Sequence, residues 1–479
     1  MFLPIFQATR NNNVTKGPAM LDEKNNIDLI KKTIIEGSVD EILSVITKAH
    51  HADIADAIEG LDSESRIAFF QKIKPELLED IFEEIEQSVQ IEVIQEMNPN
   101  KAKHLIDHMD LDDAADLLSE LKEEDEDMAD KIVRSLKEKQ EVQKLLEYDE
   151  NIAGGIMNPS FTAIPENLTV NQALTLFRKS EPPDRDFSYY VYIVNTNDEL
   201  RGIINLRDLV LAPPDQKVRE LRKENFVAVN VNTDQEEVAR IISKYDLLAV
   251  PVIDDQNKML GIVTVDDIVD VIEEEATEDL LKLSGTSAGE FDENDILTSR
   301  VWSSAKSRLR WLLLTMFGGL LSGSLLSYFT ISFSDIPLSL PIIISFIPLL
   351  VGLGGNIGNQ SATIMVRGLA TGYIKTESIM SNIMREFFVS ILIGLSIGFI
   401  LFVGSLVIYK TMIYGSIIAV AIIINIILSA SFGTLLPIFF TKINVDPAIA
   451  SAPFISSSID VAGLVIYFIV ITSYLHFFL

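Results

Sequence analysis

Asp460 is the one acidic residue between Ala448 and Leu479, a stretch otherwise long and apolar enough to cross a bilayer. A carboxylate there is costly unless water, a cation or a partner chain receives it. Ser451, Ser456, Ser457 and Ser458 beside it make a polar stripe able to line an aqueous passage; the plainer alternative is an acid that caps or glues helices in a bundle. A second polar stretch, LLVGLGGNIGNQSATIMVRGLATG from Leu349, sets Asn356, Asn359 and Gln360 among glycines that include Gly354 and Gly355. Amides in hydrocarbon need partners, and glycines let backbone carbonyls approach a ligand, so a pore lining is favoured over a packing seam. A third concentration is the run Asp266, Asp267, Asp270, Glu273, Glu274, Glu275, Glu278 and Asp279. Such density suits hard-cation coordination and equally suits a solvated helix. Asp112 and Asp116, four apart on one helix face, repel by a few tenths of a kcal/mol unless something positive covers them.

The chain that positions these groups is two materials joined near residue 300. Of its 39 Lys or Arg and 69 Asp or Glu, eight and five lie in residues 301–479, which leaves 31 and 64 in the first 300. The strongly acidic part reads as a soluble body and the rest as membrane. Such acidity opposes a nucleic-acid partner, whose phosphates attract Lys and Arg. With no cysteine, thiolate metal sites, disulfides and cysteine catalysis are excluded. No phosphorylation site or P-loop is seen, and no enzyme is expected. The opening MFLPIFQATRNNN has too short an apolar run and no basic lead-in for a signal peptide, so the acidic half is expected in the cytosol.

Residues 1–25 read as a loose leader. Over 26–150 apolar residues recur at three and four, as in Ile54, Ile58 and Leu61, with breaks at Gly60, Pro75 and Pro99. Short amphipathic helices cannot each bury a core, so a stacked, superhelical all-α domain is predicted. His104 and His108 have a spacing that zinc can use, but lack the intervening Glu of a hydrolytic HExxH and are read as surface histidines. Over 151–272 the chain repeats: YVYIVNTNDELRGIINLRDLV from Tyr190 answers LAVPVIDDQNKMLGIVTVDDIV from Leu248, with Gly202 and Gly261, and Asp208 and Asp267, each 59 residues apart. Each copy reads β-β-α, and both aspartates stand where an oxygen can cap the following helix. The pair resembles CBS modules, which implies a regulatory platform of α/β fold and ATP as a possible ligand, although no Gly-rich phosphate loop is present. Residues 273–310 read as an acidic linker and amphipathic connecting helix, including FDENDILTSRVWSSAKSRLR.

Residues 311–479 hold five apolar stretches, at 311–334, 336–366, 387–409, 411–441 and 448–479. Gly318, Gly319 and Gly323 permit close packing in the first, and Pro341 and Pro348 predict a bent or broken second. Lys306, Arg308 and Arg310, then Arg367, Lys375 and Arg385, and then Lys442 mark the inner loops, which puts the acidic half inside and the C-terminus outside.

GGNIGNQ and NVDPAIASAPFISSSIDVAGLVIYF are similar to segments of the MgtE family of bacterial magnesium transporters, and the resemblance runs from about Ile27 to the end. It implies a multi-pass protein of the bacterial plasma membrane, a homodimer with its ion path on the dimer axis, built chiefly from the second and fifth spans. It implies Asp460 as the pore aspartate, and Asp267, Asp270, Glu275, Glu278 and Asp279 as magnesium-sensing acids, with Asp112, Asp116, Asp234, Glu236 and Asp246 matching others. Two departures stand out: Ile357 replaces the alanine of GGNAGNQ, and LRKENFVAV lacks the Met-x-x element that usually opens the second CBS module.

The expected function is channel-like uptake of Mg2+, closed when internal Mg2+ bridges the acidic surfaces. The membrane potential drives a divalent ion inward by roughly 4.6 kcal/mol per 100 mV, so no pump chemistry is needed. A cation-coupled carrier and a membrane-anchored receptor remain the alternatives at this stage. Oxygen ligands alone do not rank Mg2+ against Co2+, Ni2+ or Mn2+.

Overall fold

The computed structural model describes residues 23–179, 190–286, 301–332, 340–374, 378–443, 445–450 and 452–478. The chain forms two compact units, Met1–Ile268 and Val269–Leu479.

In the first unit, the helical part runs as short helices from Glu23–Glu36 to Lys139–Leu145. The expected breaks are where chain chemistry places them: Gly60 ends His51–Glu59, Pro75 opens a 3-10 turn, and Pro99 follows the Asn98 cap. Asp62 and Asp125 cap further helices by accepting from Ser65 and Met128 amides. Ile54, Ile58, Phe70, Leu78 and Phe82 are fully buried, each worth about 1.5–3 kcal/mol of transfer free energy. Arg66 is buried against the carbonyls of Ile58, Glu59 and Leu61, where its charge answers the open C-terminal end of His51–Glu59.

The repeat forms two three-stranded sheets: β1 (Ala163–Pro165), β2 (Tyr190–Val194) and β3 (Leu200–Asn205), then β4 (Val229–Asn230), β5 (Ala249–Ile253) and β6 (Met259–Thr264). In each sheet the first pair is parallel and the second antiparallel. The copies agree in detail: register shifts fall at Ile193/Val194 and Val252/Ile253, and left-handed turn residues at Asp198 and Asn257. The repeated glycine has a steric reason. A Cβ on Gly202 would lie 2.9 Å from the Lys223 carbonyl oxygen, and one on Gly261 2.9 Å from that of Asn158, because another backbone crosses each sheet there. Tyr192, Leu200, Met259 and Ile262 form a core shared by the two modules.

In the second unit, five helices are long and apolar enough to cross a membrane: Arg308–Ser332, Pro341–Ala370, Ile379–Tyr409, Met412–Lys442 and Ala452–Tyr474. The second is broken as its prolines predict, into Leu340–Ser345 and Ile347–Ala370, and the Tyr467 hydroxyl donates to the Ile343 carbonyl beside the break. The third and fourth make a hairpin through Lys410, at φ 53°. Helices two, four and five share a core of Leu350, Ile418, Ile422, Ile426, Tyr467 and Phe468. Among the described residues, Gly318 of the first span makes a close approach, to Ser457, whereas Gly319 and Gly323 have nothing within 4 Å. Residues 291–300, the first half of FDENDILTSRVWSSAKSRLR, lie outside the described residues, and the helix Val301–Ser332 begins with its second half.

The tightest helix contact predicts a measurable asymmetry. A Cβ on Gly433 would sit 2.1 Å from the Gly358 carbonyl oxygen, backbone that cannot step aside, whereas Gly404 has nothing within 4 Å among the described residues. Gly433→Val should cost at least ~1–3 kcal/mol and lower the melting temperature in detergent, with Gly404→Val near native. Equal melting of the two variants would contradict this packing.

Candidate cation sites

In the membrane unit, Gly354 and Gly355 are buried on Ile347–Ala370, with Gly354 against Asn425 and Ser429 and Gly355 against Ser456. Their missing side chains let the fifth helix approach, and Asn359 Nδ2 then donates to Ser456 Oγ at 3.1 Å. The Asn359 Oδ1 is buried and has no hydrogen-bond partner among the described residues. Ser457 is buried and returns its hydroxyl to the Pro453 carbonyl at 2.7 Å, so it packs rather than faces a passage. Asp460 lies one turn beyond Ser456, on the same helix face, and is half-buried. Asn356 and Gln360, also one turn apart, are exposed. A polar face thus runs along helices two and five: Asn356, Asn359, Gln360, Ser456 and Asp460.

A second cluster of the same unit gathers on the part of the helix Val265–Ser284 that follows Ile268. Glu275, Glu278 and Asp279 are half-buried, and Asp270 is exposed. Lys282 Nζ donates to Asp446 Oδ2 at 2.7 Å and pairs with Glu278 Oε1 at 2.7 Å. Burial, and then Asp446, push the Asp279 carboxyl up to about 6; Lys282 opposes this, and Glu275 and Glu278 add to it. Asp446 was missed by sequence reasoning, although NVDP carries its local signal: its other oxygen caps the turn Pro447–Ile449 by accepting from the Ala448 amide at 2.8 Å.

In the first unit, Asp112 on Leu111–Glu124 is buried, with its Oδ1 unpartnered among the described residues. Burial first, then Asp113, Asp267 and Asp110, hold its carboxyl well above the usual range. Asp110, Asp112 and Asp113 each place an oxygen within 4.8 Å of the others. Asp116, one turn on, is half-buried. Asp267 also has a structural task. It sits at the third position of its helix, where its Oδ2 accepts from Thr264 Oγ1 at 2.5 Å and from the Thr264 amide at 3.3 Å, a reach back to the helix start rather than a cap from it.

Asp234, Glu236 and Asp246 are not brought together. Asp234 caps Gln235–Tyr245 by accepting from the Glu236 amide at 3.0 Å, while Asp246 closes its far end at φ 51°, about 16 Å away along an 11-residue helix. All three are exposed. His104 and His108 are not plain surface histidines: the fold adds Glu79 to them. Two buried polar groups in the spans were also unforeseen. Asn425 donates to the Leu350 carbonyl at 2.9 Å, and Ser361 lies 3.4 Å from Glu386.

The raised Asp279 pKa has a definite sign. The metal-free folded unit keeps this proton up to about pH 6, whereas the unfolded chain releases it near the ordinary value of 3.8. Its stabilising contribution is therefore complete below the lower value and is lost as pH rises through about 6. A bound divalent ion needs the ionised form, so Mg2+ titrations should show weaker binding below about pH 6 than above it, with the difference shrinking in Asp279→Asn. An unchanged pH dependence in that variant would remove Asp279 from the site.

Comparison with known proteins agrees with the order of parts. Residues 347–470 match the family model MgtE, divalent cation transporter; residues 49–151 match the MgtE intracellular N domain; 153–215 and 218–274 each match a CBS domain. The chain is 33% identical to the magnesium transporter MgtE of Bacillus subtilis over 453 residues, 94% of this chain and 98% of that one. It is 30% identical to the magnesium transporter MgtE of Thermus thermophilus over 454 residues, 93% and 98% of the two chains. Among solved structures, the cytosolic domain of the Mg2+ channel MgtE in complex with ATP covers 51% of this chain and 99% of its own, at 30% identity and a TM-score of 0.49. A bundle of five apolar helices with an acid and amides on one face, following a helical acidic domain and a duplicated α/β module, belongs to the MgtE family of divalent cation transporters.

Proposed function

We propose that this chain is a Mg2+ transporter that works as a channel, conducting Mg2+ into the cell and closing when internal Mg2+ occupies its acidic cytosolic clusters. The relatives matching nearly its whole length are named magnesium transporters. The observation that carries conduction is the polar face of helices two and five, where Asn356 and Gln360 are exposed on a membrane helix beside Asn359, Ser456 and Asp460. Amides and a carboxylate turned to lipid are costly; a water-filled passage between two copies satisfies them, and this supports a homodimer with its path on the shared axis. Mg2+ gives up its water reluctantly, so one Asp460 per subunit with neutral amides suits a hydrated ion better than a dry cage. The loop charges support cytosolic N-terminal domains and an external C-terminus in the plasma membrane.

Closing follows from like charge. Asp110, Asp112, Asp113 and Asp267 form one locus, with Asp116 and Asp270 a turn away from Asp112 and Asp267; Glu275, Glu278, Asp279 and Asp446 form a second, already part-neutralised by Lys282. Asp234 with Glu236, and Asp246 at the opposite helix end, are peripheral ligands for separate ions. Loss of the ions restores repulsion within each cluster and loosens it. ATP is assigned to the cleft of about 710 Å3 lined by Tyr190, Asn205, Leu206, Arg207, Val210, Leu211 and Leu248, with Arg207 its charged lining residue.

In liposomes holding a Mg2+ indicator, the native chain should admit Mg2+ while Asp460→Ala falls at least about tenfold, the loss of the charge that lowers the barrier at mid-membrane. Equal flux would end the pore assignment, and flux obligatorily coupled to protons or Na+ would replace the channel by a carrier. Asp112→Asn removes the cost of burying an ionisable carboxyl among other acids, so it should raise the melting temperature in chelator and shrink the further rise given by Mg2+. A full Mg2+ response in Asp112→Asn together with Asp267→Asn would sink the gating part.

A further inference from the structure

The helical domain contains a group of side chains of a different chemical kind from its carboxylate clusters. Glu79 opens the helix Glu79–Glu83, His104 lies on Pro99–Ile106, and His108 follows that helix by two residues. Packing of Pro99–Ile106 against the turn Pro75–Leu77 carries Glu79 to the two rings. His104 Nε2 is 2.8 Å from Glu79 Oε1, and His108 Nδ1 is 3.7 Å from the same oxygen. One ligand atom from each of the three lies within 4.8 Å of the others.

We propose that Glu79, His104 and His108 form a site for a transition-metal dication, Zn2+ foremost, separate from the Mg2+ sites and independent of whether the chain conducts as a channel. The chemistry of the donors carries this assignment. Two imidazoles and a carboxylate make a three-ligand set that suits zinc, with a position left for water, whereas Mg2+ demands near-octahedral oxygen coordination. Imidazole also suits Co2+ and Ni2+. A carbonyl only accepts, so in the metal-free chain the 2.7 Å bond from His108 Nδ1 to the His104 carbonyl puts the proton on Nδ1 and the lone pair on Nε2, and the His108 ring must turn for that nitrogen to join His104 Nε2 and Glu79 Oε1. The side chains are about a third exposed, at 30% for His104, 33% for His108 and 27% for Glu79, which gives an ion an entry path. Tetrahedral zinc at ~2.0 Å from each donor sets ligands about 3.3 Å apart, so binding needs a modest side-chain contraction toward a common centre. The ion would staple the segment at Glu79 to the corner at His108 and stiffen the helical domain.

The test uses the full-length protein, stripped of metal and dialysed against Zn2+ in about a hundredfold excess of Mg2+, which occupies the oxygen-only sites. One equivalent of Zn2+ per chain is expected to remain, to be lost in His104→Ala and His108→Ala, and to bind at least tenfold more weakly in Glu79→Gln. Zn2+ should raise the melting temperature of the native chain in saturating Mg2+ and leave His104→Ala unmoved. Should the histidine variants fail to fold, the native chain decides: bound Zn2+ must protect His104 and His108 from diethylpyrocarbonate, read by peptide mass. Full Zn2+ retention in a folded His104→Ala, complete displacement of Zn2+ by Mg2+, or unprotected histidines would each overturn the site.

Discussion

Repulsion between carboxylates held together by covalent and packed structure is the constraint on which this molecule turns. Asp112 is the clearest case. Its helix buries Ala114, Ala115, Leu117 and Leu118, and that apolar face draws the aspartate out of water alongside Asp113, Asp110 and Asp267. Hydrophobic burial is strong enough to impose the arrangement, and electrostatics leaves it incomplete without a positive charge. A cation that bound the folded arrangement and not the unfolded chain would add to its stability by mass action.

At the connector the same problem is handled differently. Lys282 bonds Asp446 and Glu278, so part of the repulsion there is relieved by the chain itself, while Asp279 keeps its proton to about pH 6. Any further positive charge there would meet carboxylates that the Lys282 ammonium already partly neutralises. The two clusters therefore differ in how much of their like charge the chain itself offsets.

Inside the membrane the constraint reappears as the cost of polar groups in hydrocarbon. Buried amides and hydroxyls such as Asn425 and Thr434 are returned to backbone carbonyls, as expected of groups that only hold helices together. Asn359 is half satisfied through Ser456, and Asp460 sits a turn beyond on the same face. The glycines at 354, 355, 358 and 433 make this possible by removing the side chains that would hold helices two, four and five apart.

Much of the architecture was legible in the sequence because it is written in local period and composition. The short helices broken at Gly60, Pro75 and Pro99, the two β-β-α copies, the five apolar helices and the break near Pro348 each follow from forces acting over a few residues. The repeat even forecast its own fine structure, since Gly202 and Gly261 occupy equivalent crossings. What the sequence could not supply was convergence between distant segments. Ser457 shared a stripe with Ser456, yet it turns to its own helix backbone while Ser456 meets Asn359. Asp234 and Asp246, grouped with Glu236 only by the family resemblance, stand at opposite ends of one helix. Asp446 joined the connector acids, and Glu79 joined two histidines, only through packing that no spacing along the chain encodes. Residue types and periods determined the parts and their chemistry; the burial of apolar faces decided which charges and donors must share a space.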